Sequence, residues 1–285
     1  MSFTAYNSLQ MEPKESRQIY DGTIHTPFTS LVVGPSGSGK STFVGRLIIN
    51  QARLLSNTFD YLYIFLGTPR AENQVFMDLE DAAAKDQLPH AVKIFDVRSI
   101  YLEGPDKHDA DSKLKDTSFA SDVLSLVRKH HSAGHSGCLI FDDLMTELAD
   151  CNLLVPLFTK ISSHFSVSVI YTTQNLYHKG ARTSDNVTVF RNTDLLVLFK
   201  TPMDQSVFNF VAQKLHSGTG KSSKLASVLK SVANDYRYVV IVGDFNSPDT
   251  LRYRTNIFAT VPVPNQKIIS FHDSPVSKGR GIKKK

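Results

Sequence analysis

The chain has 285 residues and a mass of 31.7 kDa, with 41% hydrophobic and 21% charged residues, which suits one large or two small domains and excludes disordered, collagen-like and low-complexity classes. Two cysteines, Cys138 and Cys151, are too few for a disulfide framework or a tetrahedral zinc site, and they fit a reducing intracellular compartment. The formal net charge of +5 resides in the terminal stretch KGRGIKKK, where Lys278, Arg280, Lys283, Lys284 and Lys285 meet no acid, so the body of the chain is close to neutral.

In chain order, a polar segment (1–23) comes first. It has no apolar stretch of signal-peptide kind, and no run anywhere approaches the ~18–20 apolar residues of a bilayer span, so neither secretion nor a membrane partner is expected. Short apolar runs then alternate with longer amphipathic stretches. The runs at 29–34, 61–67, 92–96, 138–142, 167–172, 195–200 and 238–242 are β-branched or aromatic and nearly uniformly apolar, predicting strands buried on both faces. The stretches 40–55, 70–86, 118–131, 153–164, 204–215 and 221–234 carry apolar residues three and four apart, such as Val123, Leu124 and Val127, or Phe158 and Ile161, predicting helices. This alternation predicts an α/β fold, a mostly parallel sheet with helices on both faces. The charged segment 102–116 and SGTGKSS at 217–223 read as surface loops. Without repeats or a composition shift, the organisation expected is one domain over 24–264, flanked by segment 1–23 and an unstructured basic tail over 265–285.

The strongest local signal is Gly34-Pro35-Ser36-Gly37-Ser38-Gly39-Lys40-Ser41-Thr42, which satisfies G-x-x-x-x-G-K-[ST] between the apolar run FTSLVV and the amphipathic TFVGRLIIN. In that context, successive backbone N–H groups and a helix N-terminus converge on phosphate oxygens. The pattern marks a P-loop NTPase, with ATP and Mg2+ as the implied cofactors. Lys40 would reach the β- and γ-phosphates, and the Ser41 hydroxyl would ligate the metal.

Hydrolysis also needs an acidic strand end, and Gly137-Cys138-Leu139-Ile140-Phe141-Asp142-Asp143 supplies one. Ligands bind at the C-terminal ends of strands in open parallel sheets. Asp142 is expected to hold magnesium through water, and Asp143 to orient or deprotonate the attacking water; capping of a following helix is the plainer alternative. The pair is expected beside the P-loop. After the run 167–172 come Thr173, Gln174 and Asn175, amides and a hydroxyl placed where a strand would emerge near the γ-phosphate. Turn chemistry alone accounts for such residues equally well, and their meaning comes from the order of P-loop, acidic strand and polar strand end.

GPSGSGKSTF, CLIFDDL, HFSVSVIYTTQNLYHKG, LLVLFK and RYRTNIF together resemble the genome-packaging ATPases of the FtsK–HerA superfamily. Within it the resemblance is to the poxvirus-type branch of nucleocytoplasmic large DNA viruses, Polinton/Maverick elements and adintoviruses. It covers most of 24–258. It implies an ATPase motor that moves double-stranded DNA into a capsid as a homo-oligomeric ring, with a capsid or portal-like protein as partner, in the host nucleus, a cytoplasmic virus factory or the virion. It makes Lys40 and Ser41 the P-loop pair, Asp142 and Asp143 the acidic pair, and Gln174 the polar sensor. Where the family often has Pro-Arg-Asp after its LFK strand, this chain has Pro202-Met203-Asp204. An arginine finger from a neighbouring subunit is also implied, with Arg182 and Arg191 as the candidates.

Other features read more plainly. His130, His131 and His135 lack an accompanying cysteine cluster and read as surface histidines. Cys138 reads as an inert core thiol, and Phe190, Phe199, Phe208 and Phe210 as core. The basic tail suits DNA phosphates, nuclear import or simple solubility. The alternative functions are a small P-loop kinase, which would need an Arg-rich lid, and a non-motor DNA-binding ATPase.

Overall fold

The computed structural model describes residues 23–85, 88, 91–101, 118–148, 151–176, 183–203, 205–215, 221–243, 252–255 and 257–258. The segment 1–22, the insertion 102–116, Arg182 and the tail 265–285 lie outside them. Among the described residues, eight strands form one sheet in the order β3-β2-β4-β5-β1-β6-β7-β8. They are β1 (Thr29–Val33), β2 (Tyr61–Leu66), β3 (Ala91–Asp96), β4 (Gly137–Asp142), β5 (Val167–Thr173), β6 (Leu195–Phe199), β7 (Tyr238–Val242) and β8 (Tyr253–Arg254). The pairings from β3 through β6 are parallel, whereas β7 and β8 join antiparallel. The fold is therefore α/β, a mostly parallel sheet with helices on both faces.

Side chains along each central strand alternate between two apolar layers, as strand pleating requires. Leu62, Ile64 and Leu66 of β2, with Cys138 and Ile140 of β4, meet Phe43, Val44, Leu47 and Ile48 of α1 (Lys40–Ile49) and Phe76 and Leu79 of α3 (Gln74–Ala84). Tyr61, Tyr63 and Phe65, with Leu139 and Phe141, face the opposite layer. That layer is built from α5 (Ser118–Ser132), α8 (Thr183–Arg191), α9 (Ser206–Leu215) and α10 (Lys221–Tyr236). Within it, the rings of Phe95, Phe65 and Phe141 stack across three strands at 5.1 Å spacings, and Phe119 of α5 meets Phe65 edge-on at 5.5 Å.

Several local expectations give way to the structure. The strand at 92–96 is not buried on both faces: among the described residues β3 ends the sheet with a neighbour on one side, and Ala91 and Lys93 are exposed. The helix expected over 40–55 stops at Asn50, whose backbone N–H and side-chain amide both donate to Arg46 O, and it resumes as α2 (Gln51–Leu54); this is the local competition that asparagine offers a helix. Arg70–Glu72 make a 3-10 turn before α3, which begins at Gln74. The helix expected over 153–164 is α6 (Leu154–Pro156), a π turn over Leu157–Ile161 and α7 (Ser162–His164), with the Thr159 hydroxyl donating to Val155 O at 2.7 Å. At Lys221–Ser223, where the loop expected over 217–223 overlaps the helix expected over 221–234, the helix wins and α10 opens at Lys221. The helices α4 (Val97–Tyr101) and α8 and the strand β8 had no periodic signal.

Among the described residues, no helix is long and apolar enough to cross a membrane. The ring stack predicts that Phe65→Ala costs about 3–5 kcal/mol. Urea unfolding should show this as a lower midpoint at unchanged slope.

Candidate functional site

The pairing register aligns Val33, Leu66, Phe141, Thr173 and Leu198 near one edge of the sheet, the C-terminal ends of its parallel strands. At that edge the chain leaves β1 and turns through residues 34–39 into α1. Gly34 N–H donates to Thr173 O at 3.2 Å, and a Cβ at Gly34 would lie 2.5 Å from Phe199 Cβ and 2.8 Å from Ser38 Oγ, so no side chain fits. Gly37 and Gly39 take φ of 72° and 100°, in the left-handed region glycine enters freely. Pro35 O accepts from Ser38 N–H, while Ser36, Gly37 and Thr42 are exposed.

Lys40 is buried beneath this loop. Its ammonium donates to Gly34 O at 2.9 Å and Pro35 O at 3.0 Å, tying the side chain to the loop's own carbonyls. Burial pulls its pKa below the usual lysine value, opposed by the charges of Asp143 and Asp142. The Ser38 hydroxyl is buried without a hydrogen-bond partner among the described residues, in the middle of a turn that converges N–H groups and an ammonium. A buried hydroxyl of this kind calls for a polar partner, and a phosphate oxygen fits.

The acidic pair lies beside the P-loop, as expected, although its strand is not the neighbour of β1. β5 lies between β1 and β4, and the carboxylate of Asp142 spans the gap to meet α1. Ser41 Oγ stands 3.1 Å from Asp142 Oδ2 and 3.3 Å from Oδ1, and Thr172 Oγ1 of β5 donates to Oδ1 at 2.7 Å. Asp142 is 3% exposed. Burial raises its pKa, the hydrogen bonds from Thr172 and Ser41 lower it, Asp143 raises it and Lys40 lowers it. A hydroxyl and a carboxylate so close together are hard oxygen donors of the kind Mg2+ prefers, and magnesium needs few protein ligands when phosphates and water complete its shell. The donor set therefore fits that ion.

Asp143 follows with φ 54°, a left-handed conformation that a residue with a Cβ seldom adopts. Gly67, just past β2, explains how it is accommodated. Its N–H donates to Asp142 O at 2.9 Å, and a Cβ on it would lie 2.1 Å from Asp143 O. Gln174, exposed at the end of β5, donates from Nε2 to Asp143 Oδ1 at 3.0 Å. Lys40, Ser41, Asp142, Asp143 and Gln174 are thus brought to one edge.

Arg191 is not among them. It is exposed at the end of α8, just before β6, whose first residue Leu195 pairs with Ser30 near the start of β1. It lies at the opposite edge of the sheet, on the order of 16 Å away at about 3.3 Å per strand residue, and can act only on another molecule. Two arginines that sequence reasoning passed over do lie at the edge that carries residues 34–39 and the acidic pair. Arg98, at the start of α4, donates from Nε to Glu147 Oε1 at 2.8 Å. Arg237, exposed and at φ 68°, accepts the Lys200 N–H on its carbonyl. Met203 is wholly exposed beyond β6. Sequence reasoning also missed Gly67 and Thr172; a hydroxyl two residues before the amide of YTTQ was the available signal for the second.

The histidines need correction. His130 is not an ordinary surface residue: it is half-buried, its Nε2 lies 2.6 Å from the Tyr63 hydroxyl, and its ring stacks on Tyr61 at 3.9 Å. Burial lowers its pKa, and His135, Lys129 and Lys93 lower it further. No group of three or more metal-binding side chains occurs among the described residues. Cys138 is fully buried, its thiol pKa raised by burial. Phe199 and Phe208 are core, with Phe190 and Phe210 packed partly buried against it.

No protein-family model and no curated protein matches the chain. Among solved structures, a genome packaging NTPase of Sulfolobus turreted icosahedral virus 2, in complex with ATP-gammaS, aligns at 14% identity and a TM-score of 0.43 over 75% of this chain and 91% of its own. A KaiC-like protein of the archaeon Pyrococcus horikoshii aligns at 15% identity and a TM-score of 0.39 over 63% of this chain and 76% of its own. Both likenesses are loose, and the chemistry of the site stands on its own geometry.

The contact between Gly67 and Asp143 gives a test of how tightly the acidic turn is held. Gly67→Ala should push the Asp143 carbonyl aside, costing about 1–3 kcal/mol as overpacking does, measured as a fall in urea midpoint. Gly134→Ala is the control: φ there is 75° and a Cβ meets nothing within 4 Å, so only the backbone preference is lost.

Proposed function

We propose that this chain is an ATP-hydrolysing motor that moves double-stranded DNA and packages viral or mobile-element genomes into a capsid, working as a homo-oligomeric ring. The observation that carries the hydrolytic part is the Asp142 carboxylate held 3.1 Å from the Ser41 hydroxyl, with Gln174 on Asp143 beside it. The DNA-packaging part rests on the residue resemblance to the FtsK–HerA packaging ATPases, above all CLIFDDL with SVSVIYTTQNLY.

In this reading Ser36, Gly37 and Gly39 present backbone N–H groups to the phosphates and Ser38 its hydroxyl, while Gly34, bonded to Thr173 O, and Pro35 shape the turn and Thr42 extends the helix N-terminus. Lys40 leaves its loop carbonyls to place positive charge on the β- and γ-phosphates. Ser41 and Asp142 would hold Mg2+, which when bound neutralises developing phosphate charge. Asp143 holds the attacking water and takes its proton, and Gln174 orients the Asp143 carboxylate through their hydrogen bond. Stabilisation of the transition state by an arginine of a neighbouring subunit, Arg182 or Arg191, would make assembly a condition of rapid turnover.

Lys40→Ala should fold and lose hydrolysis by about 10²–10³, the typical cost of removing a preorganised electrostatic contact. Asp143→Asn should keep MgATP binding, measured by calorimetry, and stop turnover, because an amide accepts no proton.

The motor reading itself is tested by measuring the ATPase rate with and without duplex DNA. A motor should be stimulated by the duplex. A rate indifferent to DNA but raised by a phosphate-accepting metabolite would return the chain to the kinase class.

A further inference from the structure

The two oxygens of the Asp142 carboxylate meet hydroxyls from two different elements: Ser41 of α1, 3.1 Å from Oδ2, and Thr172 of β5, donating to Oδ1 at 2.7 Å. Thr172 is fully buried. Its oxygen has a second contact, accepting the backbone N–H of Asp143 at 3.2 Å. A hydroxyl carries one donor and two acceptor sites, so donating to one acid and accepting from the next uses it in both directions. One side chain thereby fixes the carboxylate of Asp142 and the backbone of Asp143, the residue whose φ of 54° most needs holding. Valine has the shape of threonine and would pack as well in this apolar strand. The hydroxyl is therefore explained by the acids and not by the core.

We propose, resting on the reading of the site as a Mg2+-dependent nucleotide hydrolase, that Thr172 is a positioning residue whose hydroxyl sets the direction of the Asp142 carboxylate and the left-handed turn at Asp143. It touches no substrate atom, being wholly inside the sheet, and acts only through the acidic pair. Threonine at this position sets the alignment of two carboxylates with different tasks, one toward the metal and one toward water, before either ligand arrives. Residues that orient metal ligands in this way typically change metal affinity or activity by about 10–100-fold when removed.

The test is a graded series in the full-length protein: Thr172→Ser keeps the hydroxyl, Thr172→Cys offers a weaker donor of similar size, and Thr172→Val keeps only the shape. Three quantities are read for each: thermal midpoint, affinity for a fluorescent ATP analogue with and without Mg2+, and kcat separately from KM. The expected result is a near wild-type serine variant and a valine variant with unchanged metal-free affinity. The valine variant should lose about 10–100-fold in kcat and in the Mg2+-dependent gain in affinity, with cysteine between. In an Asp142→Asn background the valine substitution should add no further loss to that gain.

A folded Thr172→Val protein with wild-type kcat and Mg2+ response overturns the assignment. So do additive losses in the double variant, or serine and valine variants that fall together in midpoint and metal-free affinity, which is the mark of packing alone. If the valine variant does not fold, the serine and cysteine variants decide, and equal Mg2+ response in those two overturns it. Wild-type protein whose nucleotide affinity ignores Mg2+ instead removes the hydrolase reading beneath it, so the two failures separate at the first measurement.

Discussion

A carboxylate almost wholly withdrawn from water has to be compensated where it sits, and Asp142 sets that condition for everything around it. Leaving such a group without hydrogen bonds is among the costlier things a fold can do. Here the compensation comes from Ser41 at the start of α1 and Thr172 inside β5, so the helix after the P-loop and two strands are tied to one side chain. The elements that flank the nucleotide edge are thereby coupled: none can shift without exposing or stripping the acid. Burial also drives the carboxyl toward its neutral form, while both hydroxyl donors favour the charged one.

The rest of the architecture presents that edge. Pleating splits the central strands into two apolar layers, each covered by helices, leaving the strand ends as the places where polar groups gather. The insertion of β5 between β1 and β4 gives the edge its spacing. Asp142 reaches across the strand width that separates it from α1, and Gln174, at the end of the intervening strand, has Asp143 within reach.

Much of this was legible in the sequence for identifiable reasons. The seven longer strands are uniform apolar runs bounded by turn residues, and the G-x-x-x-x-G-K-S pattern fixes a strand, a turn and a helix together. Local pattern failed where the deciding contact is distant. Asn50 interrupts a helix whose apolar period runs through it, because its amide finds the Arg46 carbonyl. α8, with TSDNVTVFR, carries too little apolar period to announce itself, and β8 is two residues long. Thr172 and Gly67 both read as ordinary strand residues; their importance lies in what β2 and β5 bring against the acidic pair, which is pairing order and not composition. The placement of Arg191 is a lesson of the same kind. Position between two motifs in the chain says nothing about which edge of a parallel sheet a residue occupies, and strand direction does.

The exposed side of β3 has a consequence for the molecule in a crowded solution. An end strand offers unpaired N–H and C=O groups to any other strand, the commonest seed of sheet-to-sheet aggregation. Lys93 stands exposed in the middle of this strand, a charge of the kind that discourages such pairing. At the other end of the sheet, β8 is too short to template a partner. The sheet is thus discouraged from growing at either end, and copies that meet are steered toward contacts made by side chains.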